Sequence, residues 1–273
     1  MKIHILFPIS PSPAGGGNQF LKILRHQLKK RGVWTDRIKN SEVVLFNSHQ
    51  WVNRVAVLKK RYPDKIFIHR VDGPMRIYNS WSDKRDYIVK VISSRVSDGT
   101  IFQSKWSQRE NHRLGMPKNH FEKVIYNTVD PDIFNNFNKS TLGKGDRVRL
   151  LASCWSNNPS KGFDVYQWLD SNLDWSRYEM TLVGNSPLAY KNIHHIEPIP
   201  IEALAEIIKK HDIYIFPSKY EACSNALLEA MHCGLPAIAC HSSSNPEIVG
   251  WGGELYHRKE EIPLLLNKLT RNY

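Results

Sequence analysis

The chain has 273 residues, 41% of them hydrophobic, with 15 Gly and 15 Pro, which suits a folded globular protein and excludes a disordered or fibrous one. That length passes the size at which a single core usually stops growing, so two domains are expected. Residues 1–135 hold 24 Lys and Arg against 11 Asp and Glu, a net of +13, while residues 136–273 hold 14 against 15, a net of −1. So basic a first half suggests an anionic partner, a membrane surface, a nucleic acid or a phosphorylated acceptor, with charge that serves solubility alone as the alternative.

The opening run, Met1 to Pro8, is too short and too interrupted for a signal peptide and reads as a first buried strand. No apolar run approaches the ~20 residues that cross a bilayer. Candidate strands then follow at 3–7, 43–46, 65–69, 99–103 and 123–126, with helical patterns between them, notably 18–31 and 52–61. The first of these helices carries Phe20, Leu21, Leu24 and Leu28 on one face and Lys22, Arg25, Lys29 and Lys30 elsewhere. That pattern fits packing on a sheet, and it also fits contact with an anionic membrane surface.

A polar stretch at 135–146, rich in Asn, Lys, Ser and Gly, marks a linker and divides the chain into domains 1–138 and 139–273. The alternation restarts with strands at 148–152, 179–183, 194–199, 213–217 and 236–239. Strand–helix alternation in both halves predicts parallel sheets covered on both faces, with ligands outside the carboxyl ends of the strands. Cys154, Cys223, Cys233 and Cys240 form no C-x-x-C pair and sit among apolar or small residues, so buried reduced thiols and a cytoplasmic location are expected.

The segment 213–236 concentrates the chemistry. A buried strand leads through Pro217-Ser218-Lys219-Tyr220-Glu221 to a helix starting near Ser224 or Asn225, and Gly234 and Pro236 end that helix. The helix start is a ready anion site, suited to a diphosphate. Glu221 precedes it and Glu229 lies about one turn inside it, so both are placed to face one pocket. Carboxylates there accept hydrogen bonds from vicinal diols.

This segment resembles the family 4 glycosyltransferases, in its two Glu separated by seven residues (Glu221 and Glu229), its Glu229-Ala230 and its Gly234-Leu235-Pro236. The resemblance extends over roughly the whole chain. It implies the GT-B fold, two Rossmann-like doubly wound α/β domains facing across a cleft. It also implies transfer of a hexose-type sugar, with retained configuration, from a nucleotide-diphosphate sugar to a hydroxyl of a glycan or lipid-linked acceptor. In that reading Glu229 binds ribose hydroxyls and Glu221 the donor sugar. Ser224, Asn225, Ala226 and Gly184 approach the donor, as do Gly16 and Gly17 in the glycine loop Gly15-Gly16-Gly17, whose backbone can approach the donor phosphates or the acceptor. Lys161, in Lys161-Gly162, neutralises the leaving diphosphate. His69 or Asp72, in His69-Arg70-Val71-Asp72-Gly73-Pro74, interacts with the acceptor hydroxyl. Segments 103–107 and 126–130 match landmark strand ends.

The sequence departs from the family where an Arg is common, reading Cys154-Trp155-Ser156-Asn157, where Phe-Gly is common, reading Cys223-Ser224, and where Gly-Gly is usual, around Ser243-Ser244-Asn245-Pro246-Glu247. These changes leave the donor sugar open. The chain is short for the family, so a reduced C-terminal crossing helix is expected. Asp130-Pro131-Asp132 mimics a metal-holding Asp-x-Asp, but Pro131 suits a helical turn, and neither a metal nor another cofactor is expected. Two alternatives remain: an inactive nucleotide-sugar-binding module, and a glycosyltransferase acting on nucleic acid. The latter lacks aromatic–basic interleaving, so nucleic acid is the weaker partner.

Overall fold

A computed structural model describes residues 1–10, 16–143 and 145–270, and the chain divides into two α/β units, Met1–Asn127 and Thr128–Tyr273. The first unit runs β1 (Ile3–Leu6), α1 (Gly16–Lys30), β2 (Val43–Asn47), α2 (Val52–Arg61), β3 (Ile66–Val71), α3 (Met75–Tyr78), α4 (Arg85–Arg95), β4 (Gly99–Phe102), α5 (Lys105–Arg113) and β5 (Glu122–Val124). Its five strands are parallel and lie in the order β1-β2-β3-β4-β5. A parallel bridge from Ile3 to Trp34 places the chain after α1 on the other side of β1, so the winding reverses at β1.

Side chains two apart on a strand share a face, and this splits the apolar residues between two helical layers. Ile5 and Leu45 meet Phe20 and Leu21 of α1, with Leu24 and Leu28 packed alongside. Leu6, Val44, Phe46 and Phe67 meet Val55 of α2 and Ile92 of α4. The apolar face of α1 is therefore committed to the sheet. Its Lys22, Arg25, Lys29 and Lys30 lie off that face.

The second unit runs β6 (Val148–Cys154), α6 (Phe163–Asn172), β7 (Tyr178–Gly184), β8 (His194–Ile196), α7 (Ile201–Lys209), β9 (Ile213–Phe216), α8 (Asn225–His232), β10 (Ala237–Cys240), α9 (Asn245–Val249), β11 (Gly253–Tyr256) and α10 (Ile262–Thr270). Its parallel sheet has the order β11-β10-β9-β6-β7-β8. Every residue of β9 and β10 is buried, as in a sheet covered on both faces. Leu150, Ile213, Ile215 and Ile238 pack with Tyr166 and Leu169 of α6 and Leu266 of α10. Leu151, Tyr214, Phe216 and Ala239 pack with Leu204 and Ile208 of α7 and Leu227 and Ala230 of α8.

The boundary falls at Asn127/Thr128, ahead of the polar stretch and not at 138. Val129 and Phe134 are the reason: both are buried in the core beneath α7 and α8, which draws 128–138 into the second unit. The polar stretch itself is tied down where Ser140 N and Oγ both donate to the Lys209 carbonyl at 3.0 Å. Strand β11 is an addition to the expected elements. Its Gly253 presses so close to the Ala237 backbone that a Cβ would collide with it. Among the described residues no helix is long and apolar enough to cross a membrane. All four cysteines are free and buried.

Candidate functional site

In the second sheet the strand order reverses between β6 and β9, so the connections leaving these two strands diverge and open a crevice at their carboxyl ends. The loops after β6 and β9 meet there. Asn158 caps a short 3-10 turn, Pro159–Lys161, by accepting from Ser160 N at 2.8 Å. Gly162 ends the turn at φ +79°, and a Cβ there would sit 2.6 Å from Pro217 Cβ and 2.8 Å from its carbonyl oxygen. Only glycine accepts both the left-handed backbone and that approach. A second tie, Lys219 N donating to Ser160 O at 2.8 Å, fixes the two loops together.

The consequence is that Lys161 Nζ lies 2.6 Å from Glu221 Oε1, with side chains only 19% and 15% exposed. Ser218 Oγ donates to the same Glu221 oxygen, and Glu221 N donates to Ser243 Oγ at 2.9 Å. Tyr220 and Ser243, flanking this arrangement, hold φ of 61° and 53°. Left-handed backbone at a bulky residue is costly and gathers at functional loops.

Helix α8 opens beside the same strand. Ser224 is its cap, accepting from Leu227 N at 3.3 Å, and Asn225 and Ala226 form the first turn, whose amides and dipole favour an anion. Glu229 follows in the second turn and is 5% exposed. Burial pushes its carboxyl up to about 7, and its carboxylate makes no hydrogen bond or ion pair among the described residues. A buried carboxylate without a donor is expensive, so this group is suited to receive hydroxyl donors. It neighbours Tyr214, whose hydroxyl lies 2.8 Å from Ser153 Oγ. Burial holds that phenol well above its usual range, and Glu229 adds a smaller push. Gly184 ends β7 at φ +110°, where any Cβ would collide with the Cys154 carbonyl. That contact lets Asn185 N donate to Cys154 O at 2.7 Å and places the loop after β7 against the end of β6.

The first unit gathers a second polar group at its strand ends. Gly16 and Gly17 lie in the first turn of α1, and a Cβ on Gly17 would meet Asn47 Nδ2 at 3.7 Å, an ordinary contact. Gly15 lies outside the described residues. Asp72, just past β3, accepts from Gln103 Nε2, from Asn47 Nδ2 at 3.3 Å and from Arg70 Nη1 at 3.4 Å. Arg70 is 2% exposed, with Nη1 donating to Asn47 Oδ1 at 2.5 Å and Nη2 to Asn127 Oδ1 at 2.6 Å. Its guanidinium lies 4.3 Å from the centroid of the Phe20 ring. One layer thus links the ends of β2, β3 and β4 with Asn127. Asp72 is a candidate from the sequence, whereas Arg70 and Asn47 join it only in the structure. The signal was there, because an Arg inside an apolar strand needs carbonyl or carboxylate partners.

His69 is corrected. The sequence suggested a side chain open at the strand end, but β3 runs on to Val71 and His69 is fully buried. It stacks on Phe46 at 4.5 Å, and its Nε2 lies 2.9 Å from the Ser48 carbonyl. Burial pulls it down to about 4, so the ring is neutral near pH 7. Asp130 caps its own turn, accepting from Asp132 N at 3.1 Å.

Residues 172–271, which contain Glu221, the α8 start and Glu229, match the family model described as Glycosyl transferases group 1. An uncharacterized 41.2 kDa protein in the cps region of Klebsiella pneumoniae is 23% identical over 184 residues, 63% of this chain and 51% of that protein. The chain therefore spans about half the length of this curated relative. The crystal structure of Anabaena HepE in complex with UDP-glucose superposes with a TM-score of 0.74 at 15% identity, covering 100% of this chain and 90% of that one. WaaG, a glycosyltransferase involved in lipopolysaccharide biosynthesis, gives 0.67 at 13%, covering 98% and 90%. The fold is GT-B, with two parallel α/β units.

Proposed function

We propose that this chain, GT-B in fold and matched by the Glycosyl transferases group 1 model over 172–271, is a glycosyltransferase that uses a nucleotide-diphosphate sugar. One observation carries the reading: Lys161 and Glu221 are held together at the β6/β9 reversal, beside the start of α8 and its buried Glu229, which has no side-chain partner among the described residues. A cation and helix amides suit a diphosphate, and two carboxylates suit ribose and sugar diols.

In the proposed reaction the acceptor hydroxyl oxygen bonds to the anomeric carbon as the bond from that carbon to the diphosphate oxygen breaks. The leaving diphosphate takes the acceptor proton. Attack on the face the diphosphate leaves retains the configuration and needs no protein nucleophile. Lys161 and the first-turn amides of α8 meet the charge that develops on the leaving group, a role that requires no metal. Cys154 to Asn157 stand where the family often has an Arg, which puts more of that work on Lys161.

We assign the acceptor, a glycan or lipid-linked sugar, to the first unit, with Asp72 as the residue that receives its hydroxyl. Residues 1–127 carry 24 Lys and Arg against 9 Asp and Glu, a charge suited to an acceptor bearing phosphate or to an anionic membrane surface. Membrane contact would draw on that charge and not on the apolar face of α1, which the sheet uses.

The test is incubation with a panel of UDP-, GDP- and ADP-sugars, following release of free nucleotide. UDP-glucose is the first choice because HepE is described with it. One donor should be turned over slowly without acceptor, and Lys161→Ala should slow that release while Glu229→Ala weakens donor binding. Binding without release, with every acceptor offered, would leave a non-catalytic binding module instead.

A further inference from the structure

Lys161 and Glu221 hold opposite roles in the proposed donor site, yet they bond to each other at 2.6 Å. The backbone imposes this. Gly162 against Pro217, Lys219 N on Ser160 O, Glu221 N on Ser243 Oγ and Ser244 N on Glu221 O at 3.3 Å fix both loops, so the two side chains face each other without any loop closure. Both are largely shielded from water, which keeps their attraction from being screened as an exposed pair would be.

We infer that Glu221 is an internal competitor for Lys161, and that this competition makes the site select an intact nucleotide-sugar over the sugar-free nucleoside diphosphate. The inference rests on the donor-site reading above. A diphosphate that reaches Lys161 must displace the Glu221 carboxylate and leaves it beside a phosphate of like charge, with the Ser218 hydroxyl as its remaining side-chain donor among the described residues. A donor that still carries its sugar supplies hydroxyl groups to that carboxylate and replaces what Lys161 gave it. Once the sugar has moved to the acceptor, the nucleotide loses that compensation. Glu221 then reclaims Lys161, which weakens product binding and speeds its release.

The experiment titrates UDP, GDP and ADP, and separately UDP-glucose, GDP-mannose and ADP-glucose, into wild type, Glu221→Gln, Glu221→Ala, Lys161→Met and the Lys161→Met/Glu221→Gln double variant. Thermal midpoints confirm that each variant is folded. For the base that binds, Glu221→Gln should tighten the plain diphosphate roughly five- to tenfold, the scale of a shielded ion pair. The same variant should loosen the sugar nucleotide, so that the preference for the sugar collapses. In the Lys161→Met background Glu221→Gln should tighten the diphosphate much less, because the competed cation is gone and only the like-charge repulsion is relieved. Unchanged or weaker diphosphate binding in both Glu221 variants overturns the inference. So does an equal gain with and without Lys161, which would mean plain charge repulsion. Nucleotide binding that ignores Lys161→Met, or no binding at all, would instead bring down the donor-site reading.

Discussion

Gly162 and Pro217 touch backbone to ring, with room at Gly162 for hydrogen alone. This contact joins the loop after β6 to the loop after β9 and sets the distance between Lys161 and Glu221. Gly162→Ala combines a left-handed backbone with a collision, so it should cost about 1–3 kcal/mol in urea unfolding. Nucleotide affinity should fall as well, since Lys161 would be moved off its mark. Wild-type affinity in a stable Gly162→Ala protein would show that the contact does not position the cation.

Glu229 should make both stability and nucleotide binding depend on pH. Its carboxyl is raised by burial from the usual 4.5 to about 7, so the folded protein holds the proton more firmly than the unfolded chain. The group therefore costs nothing below about pH 4.5, and the cost grows as pH rises to about 7, reaching on the order of 3 kcal/mol. Glu229→Gln should be more stable than wild type above pH 7 and equal to it near pH 4.5. If the carboxylate is the form that accepts ribose hydroxyls, nucleotide binding near pH 6.5 should release a proton. Calorimetry in buffers of different ionisation enthalpy would detect that release in wild type and its loss in Glu229→Gln.

His69 has the opposite sign. Burial lowers it from 6.5 to about 4, with the Ser48 carbonyl and Asp72 opposing more weakly. The folded protein keeps it neutral, so its contribution is intact above about pH 6.5 and is lost as pH falls toward 4, up to about 3 kcal/mol. His69→Gln should flatten that part of the acid unfolding curve. Urea midpoints at pH 7, 5.5 and 4.5 would check this, and parallel curves for the two proteins would contradict it.

Arg70→Met should be one of the more damaging changes in the first unit. It removes the hydrogen bonds that Arg70 gives to Asn47 and Asn127 and the charge it sets beside Asp72. Removing one partner from a buried charged layer costs on the order of 3 kcal/mol. Combined with Asp72→Asn the losses should be less than additive, because the two groups share one network. Full additivity in denaturant titrations would show that the layer does not act as a unit.

Much of this molecule is set locally. Parallel strands buried on both faces must be short apolar runs, so β1–β4, β6, β7, β9 and β10 stand out in the sequence to within a residue or two at most ends. Cap and stop residues act over three or four positions, which is why Ser224 and Gly234 bracket α8 in the sequence as in the structure. For the same reason the two-unit α/β class and the pairing of a helix start with Glu229 were legible.

What adds charge, contact and burial across distant segments was not. Strand β11, with two polar or glycine positions in four, has no apolar signature, and pairing with β10 alone makes it a strand. The boundary moved because Val129 and Phe134 found a core made by α7 and α8, which outweighs the composition of a loop. His69 reads as an open strand-end ligand until Phe46 and the Ser48 carbonyl enclose it. Lys161 and Glu221 are sixty positions apart, and the sequence assigns each to the donor without showing that they bond to each other. Their bond exists because β6 and β9 are neighbours in the sheet and a glycine lets their loops touch, a relation that depends on strand order and not on sequence spacing.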